Sequence, residues 1–298
     1  MLSARIFAAI SMTLVLAASL YADIFVFEQS LLLHVVFLLC VWQSFREFWP
    51  LCRAVGEETF SIWGTGSGCI LVVAHYLAYN FFSTTAKDLS SSIGDFLWGI
   101  MCAAFLIPFL ISAQRGHFAA SIGSLAVTCL GIVYLWFLPC FLIKLRHLGT
   151  EGQINGVDWL IFGNKLFIAT IVVAKGCDLA AYTGGRLFGR RKAFPFLSPG
   201  KTVAGVVSGL LGSAGLAFLL RLDFIGALSF LSPVATLTFG LAVGFAGMMG
   251  DLSASLLKRS AKIKDSGAVI PGYGGVLDVV DSLIVAGPVA YFLIPVII

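Results

Sequence analysis

Nine runs of apolar residues, at 6–27, 31–45, 62–82, 93–113, 119–143, 158–177, 203–221, 232–250 and 279–298, fill most of this chain. A helix needs about 20 such residues to cross a bilayer, so the pattern predicts an all-α polytopic transmembrane bundle of nine spans, give or take one. The run at 31–45 is short, which predicts that the first two runs form a tight hairpin or lie partly in the interface. Gly205, Gly209, Gly212, Gly215, Gly240, Gly244 and Gly247 punctuate the seventh and eighth runs, and small residues on a span let helices pack closely. Polar residues gather in two stretches, Asp178–Thr202 and Asp251–Asp281. The chain therefore divides loosely into N-terminal transmembrane helices, 1–174, and a motif-bearing transmembrane region, 175–298, within one integral membrane unit.

Composition agrees with that pattern. At 59% hydrophobic and 11% charged residues, with a mean hydropathy of +0.99, a 298-residue chain has too few charges to coat a water-facing globule. With a cytoplasmic N-terminus and nine spans, the cytoplasmic segments carry Arg5, Arg46, Arg53, Arg115, Arg186, Arg190, Arg191, Lys192, Lys201, Lys258, Arg259, Lys262 and Lys264. The other side keeps Lys87, Lys144, Arg146 and Arg221. That imbalance predicts N-terminus in, C-terminus out, and both polar stretches in the cytoplasm. Arg5 and its apolar run are read as a retained first span rather than a cleaved signal. The formal charge of +4 gives no reason to invoke nucleic acid. The seven cysteines form no CxxC pair and lie mainly in apolar runs, which points to packing rather than disulfides or zinc.

Between Asp251 and Asp281 the chain crowds Lys258, Arg259, Lys262, Lys264, Asp265, Asp278 and Asp281 into an otherwise nearly uncharged protein. Asp278 and Asp281 are three residues apart, so a helix starting near Leu277 puts both carboxylates on one face of its first turn. Two carboxylates so placed can hold a divalent cation. Pro271-Gly272-Tyr273-Gly274-Gly275 cannot continue a helix, and its backbone can approach a ligand closely. The stretch is thus helix end, basic loop, glycine turn and acidic helix start, a layout suited to a metal-bound polyphosphate.

The other stretch starts at Asp178, passes Tyr182, Arg186 and Arg190-Arg191-Lys192, and ends in Ser198-Pro199-Gly200-Lys201-Thr202. It joins the sixth and seventh spans. Gly200-Lys201-Thr202 is not half of a P-loop, because that motif needs a glycine where Pro195 stands and a strand before it. What remains is two hydroxyls and an ammonium just ahead of a span, where free N–H groups favour phosphate. By itself a basic loop of this kind is more often a topology determinant touching anionic headgroups. Lys175, near the end of the sixth run, is read as snorkelling to the cytoplasmic surface, with Asp178 one turn later able to pair with it.

Together the two stretches resemble the phosphatidate cytidylyltransferases, or CDP-diacylglycerol synthases. That family's C-terminal signature is S-x-x-K-R-x-x-x-x-K-D-x-G-x-x-x-P-G-H-G-G-x-x-D-R-x-D. Ser255, Lys258, Arg259, Lys264, Asp265, Gly267, Pro271, Gly272, Gly274, Gly275, Asp278 and Asp281 stand at matching positions, preceded by Gly250-Asp251. The upstream family pattern is matched by Asp178, Ala181-Tyr182, Gly185-Arg186-Leu187-Phe188-Gly189 and Ser198-Pro199-Gly200-Lys201-Thr202. The resemblance covers about a third of the chain, from Lys175 to Asp281; Arg46-Glu47-Phe48 is similar to an acidic-aromatic pair after the family's second span.

The resemblance implies transfer of CMP from CTP to phosphatidic acid, giving CDP-diacylglycerol and pyrophosphate, by an enzyme embedded among membrane lipids. It implies magnesium, with a second cation as an option, on Asp251, Asp278 and Asp281. Lys258, Arg259 and Lys264 would neutralise triphosphate or pyrophosphate, and Asp265 would position a lysine. Asp178, Tyr182, Arg186, Ser198, Lys201, Thr202, Gly274 and Gly275 are the implied substrate-binding residues, and a homodimer is the implied assembly. The chain departs from the family at Ala204, Ala254, Tyr273 and Val279, where Glu or Gln, an acid, His and Arg are usual. Those losses keep a catalytically silent membrane paralog open. A CTP-dependent lipid or polyprenol kinase and a transporter are the other readings, the latter expected to spread its polar residues over mid-membrane helices.

Overall fold

The computed structural model describes residues 2–25, 30–56, 58–78, 89–115, 118–148, 159–222, 226–270, 272 and 274–298. The helices are α1 (Leu2–Phe25), α2 (Leu31–Ala54), α3 (Ser61–Leu77), α4 (Leu89–Arg115), α5 (Phe118–Ile132), α6 (Leu138–Arg146), α7 (Trp159–Phe188), α8 (Val203–Arg221), α9 (Pro233–Ser260) and α10 (Val276–Ile297). A π-turn, Val133–Phe137, carries α5 into α6 without a break, so these ten helices make nine rods. Among the described residues, six rods are long and apolar enough to cross a membrane, and Ser11–Asp23, Ser61–Leu77 and Gly99–Ile111 are shorter apolar helices. The chain is a polytopic helical membrane protein.

Three boundaries differ from the apolar runs. The second helix does not stop near residue 45 but runs to Ala54 over 24 residues, long enough to span. Gln43, Ser44, Arg46 and Glu47 interrupt the run in sequence, yet they continue the helix, and Ser44 and Glu47 are buried. The sixth extends to Phe188, so that Asp178, Tyr182 and Arg186 sit on a helix rather than in a loop. Its 30 residues rise about 45 Å, more than the ~30 Å of hydrocarbon. The eighth likewise carries Asp251, Lys258 and Arg259 on its final turns. The all-α bundle carries one short addition: β1 (Lys192–Phe194) and β2 (Ser198–Thr202) form an antiparallel hairpin, pairing Lys192 with Thr202 and Phe194 with Ser198. Ring-locked Pro195 and Pro199, which cannot donate, lie in the connection and at the strand start.

The chain forms two compact units that interleave along the sequence. The first comprises Met1–Phe137 and Ser260–Val279. Its core is aromatic: Phe45, Phe48 and Trp49 of α2 are buried, with Phe45 stacked on Trp49 at 5.3 Å between centroids. Glycines at 64, 68 and 131 leave the room these rings fill, and the Trp49 indole N–H donates to Thr65 Oγ1 at 2.8 Å. The second unit comprises Leu138–Arg259 and Val280–Ile298. Here α7 and α8 lie against each other through Gly176, Gly184, Gly205, Gly209 and Gly212, and Gly240 and Gly244 bring α9 onto Ser213 and Ala214 of α8. Of the glycines expected to pack, Gly215 alone faces open space.

Candidate active site

In the first unit the polar residues surround the start of α10. Gly272 and Gly274 take positive φ values of 82° and 107°, a conformation that costs glycine little. Ile270 and Gly274 exchange backbone hydrogen bonds of 2.8 and 3.0 Å, closing the turn that delivers the chain to the helix. Asp278, in the first turn, reaches back: its Oδ2 accepts from Gly275 N at 3.0 Å, from Ser266 N at 2.9 Å and from Ser266 Oγ at 2.9 Å. The bond to Gly275 N is the acidic half of a capping box. Glu47 of α2 supplies the rest of the cap. Its Oε1 accepts from Val276 N and its Oε2 from Leu277 N, both at 2.9 Å, satisfying two of the amides that a helix start leaves unpaired. Ser266 Oγ also lies 2.9 Å from Glu47 Oε2, and Gln43 Nε2 donates to Oε1 at 2.9 Å.

The second unit gathers the other charges. Lys175 Nζ donates to Ser282 Oγ at 2.6 Å and stands 3.6 Å from Asp178 Oδ2 and 3.8 Å from Asp281 Oδ1. Asp281 is buried, and its Oδ1 accepts from Ser282 N at 2.6 Å. Lys201 Nζ meets Asp251 Oδ2 at 2.9 Å. Asp178, Asp251 and Asp281 lie close enough to act on one another electrostatically. Three carboxylates thus face two ammonium groups, drawn from α7, β2, α9 and α10. Close approach of α9 to α10 makes this possible, since a Cβ on Gly250 would strike the Asp281 carbonyl. Among the described residues no three acidic, histidine or cysteine side chains stand close enough to ligate one ion; the acids lean on lysines instead. As donors, carboxylate oxygens are the chemistry that magnesium prefers.

The remaining sequence-derived residues are less closely tied. Thr202 is buried, and its Oγ1 caps α8 by accepting from Gly205 N at 3.1 Å, a bond worth about 1 kcal/mol. Ser198 opens β2 and is half-buried. Arg259 Nε approaches the Leu197 carbonyl at a long 3.5 Å, and Lys258 is half-buried on the same last turn of α9. Lys264 and Asp265 are exposed in the loop after α9, and Tyr182 and Arg186 are exposed on α7. Gly274 and Gly275 lack side chains where a Cβ would crowd Asp278 and Glu47 respectively. Pro271 and Tyr273 lie outside the described residues; Ala254 is buried, and Ala204 and Val279 are half-buried.

The sequence points to Glu47 and Lys175 without placing them among the site residues, and does not single out Ser282. Lys175 pairs with Asp178 as expected, and Asp281 and Ser282 hold it as well. An ammonium inside an apolar run beside an acid one turn away was the available signal. Glu47 had only its acid-aromatic neighbours, because its partners other than Gln43 are more than 200 residues distant.

The profile of the cytidylyltransferase family matches residues 3–297 of this chain. The chain belongs to that family. Phosphatidate cytidylyltransferase of Chlamydia pneumoniae is 34% identical over 293 residues, 91% of this chain and 92% of the relative. Phosphatidate cytidylyltransferase 5, chloroplastic, of Arabidopsis thaliana is 36% identical over 204 residues, 64% of this chain and 50% of the relative. The Pseudomonas aeruginosa phosphatidate cytidylyltransferase is 43% identical over 139 residues, 47% of this chain and 50% of the relative. The chain spans about half the length of the Arabidopsis relatives.

Proposed function

We propose that this chain is a phosphatidate cytidylyltransferase, which transfers CMP from CTP to phosphatidic acid and releases pyrophosphate. The observation that carries the proposal is the joining of Lys175, Asp178, Lys201, Asp251, Asp281 and Ser282 into one charged cluster in a member of this family. In the reaction a phosphate oxygen of the lipid, already anionic, attacks the α phosphorus of CTP. A new P–O bond forms as the bond to the bridging oxygen of pyrophosphate breaks, and the electron pair leaves with pyrophosphate. The attack needs no strong general base, so the protein's work is positioning and charge neutralisation.

Lys175 and Lys201 supply ammonium groups beside the acids, and Lys258, Arg259 and Lys264 supply basic charge for the triphosphate and the departing pyrophosphate. Ser198 and Lys201 orient a phosphate ahead of α8, while Thr202 holds the helix start that presents them. Tyr182 and Arg186 extend the substrate-binding face along α7. Asp251, Asp278 and Asp281 are the acids proposed for magnesium, which needs only one or two carboxylates beside substrate phosphates and when bound would offset charge on the transferring phosphoryl group, with a second cation as an option. The site and N-terminus are assigned to the cytoplasm and the C-terminus to the other side, as the basic residues favour, and two copies form a homodimer.

Reversal tests the reaction. Purified protein given CDP-diacylglycerol, magnesium and labelled pyrophosphate should make labelled CTP. Formation of no CTP, with an enzyme that passes the γ phosphate of CTP to an alcohol, would establish a kinase, and no turnover of either kind would favour a silent paralog.

A further inference from the structure

Glu47 lies on α2, far in sequence from the acidic start of α10, and is only 4% exposed. Burying a carboxylate is costly unless donors surround it. Here they do: Val276 N, Leu277 N, Gln43 Nε2 and Ser266 Oγ all lie 2.9 Å from its two oxygens. The loop is shaped around the side chain. A Cβ on Gly275 would collide with both Glu47 and Ser266, and one on Gly267 would press on the Glu47 carboxyl at 3.2 Å. Ser266 Oγ is also 2.9 Å from Asp278 Oδ2, and a hydroxyl has one proton to give. It therefore serves one acid at a time, which ties the settings of the two carboxylates together. Glu47 also places negative charge at the positive end of the α10 dipole.

We infer that Glu47 is a positioning residue for cytidylyl transfer: it fixes the first turn of α10 and, through Ser266 and the capped amides, the orientation in which Asp278 meets a cation. The inference rests on the functional reading above. Glu47 itself does not touch the reacting atoms.

The test pairs steady-state kinetics with manganese(II) binding, followed by electron paramagnetic resonance, on the full chain in detergent. Glu47→Ala should weaken manganese binding and lower kcat, each by about 10- to 100-fold, the range seen when a residue supporting a metal ligand is removed. The KM for phosphatidate should stay near the wild-type value. Glu47→Gln should recover part of both losses, because an amide oxygen still accepts from a capped N–H. A monodisperse Glu47→Ala protein with wild-type manganese affinity overturns the inference, whatever its yield, since a purely structural role changes only the amount folded. If Glu47→Ala does not fold, Ser266→Ala carries the test, with losses in the same direction but smaller; no loss of manganese affinity there overturns it equally. A wild type that binds manganese yet transfers no cytidylyl group sinks the functional reading, while the affinity comparison still decides the role of Glu47.

Discussion

Asp281 is buried beside Lys175 and Ser282, Asp251 is held by Lys201, and Asp265 stands exposed in a loop. These settings separate the acids by what each can do. Replacing Asp251, Asp278 or Asp281 with Asn removes a charge from the proposed cation set, and should lower turnover by about 100-fold or more, the scale of losing one electrostatic contributor to a transition state. Chelation of magnesium should abolish wild-type activity. Asp265→Asn should leave the magnesium dependence near that of the wild type, because that acid lies outside the set. Initial rates across a magnesium series check this; full activity in chelator, or in Asp281→Asn, would remove the metal from the account. Asp278→Asn carries a second cost, since its Oδ2 also ties Gly275 and Ser266 to the helix start.

Among the elements, α9 and α10 depend on a glycine at their crossing. A Cβ at Gly250 would strike the Asp281 carbonyl, whereas one at Gly215 would meet open space. Gly250→Ala should therefore destabilise the protein by about 1–3 kcal/mol, the usual cost of overpacking, and depress activity by moving Asp281. Gly215→Ala should be neutral or slightly stabilising, as alanine favours the helix. Thermal unfolding of the two variants in detergent measures the contrast, and equal shifts would contradict the packing. Most of the helices were legible in the sequence because apolar runs of spanning length have few other folds. Their ends were not. The polar ends of α7 and α9 look like loops by hydropathy, but a helix longer than the bilayer costs nothing where its last turns carry Arg186, Lys258 and Arg259. Asp178, Lys201, Asp251 and Asp281 were legible through charge density and motif spacing, whereas Lys175 showed only as an ammonium in an apolar run beside Asp178. Glu47 was not, because its role depends on a loop and helix start that only the fold brings to it.

At the scale of the whole molecule, the proposed sidedness rests on the distribution of basic residues. Cysteines introduced near Arg191 and Lys262 should react with an impermeant reagent only from the cytoplasmic face, and one near Lys144 only from the opposite face. Labelling of the Arg191 and Lys262 segments from outside would overturn the cytoplasmic site. Which phosphorus of CTP is attacked separates a cytidylyltransferase from a kinase. Purified protein in mixed micelles with phosphatidic acid and magnesium should be given CTP labelled at the α phosphate in one reaction and at the γ phosphate in another. The α label should enter the lipid and the γ label should leave as pyrophosphate, in equal amounts. A γ label in the lipid, with the α label in soluble CDP, would contradict cytidylyl transfer.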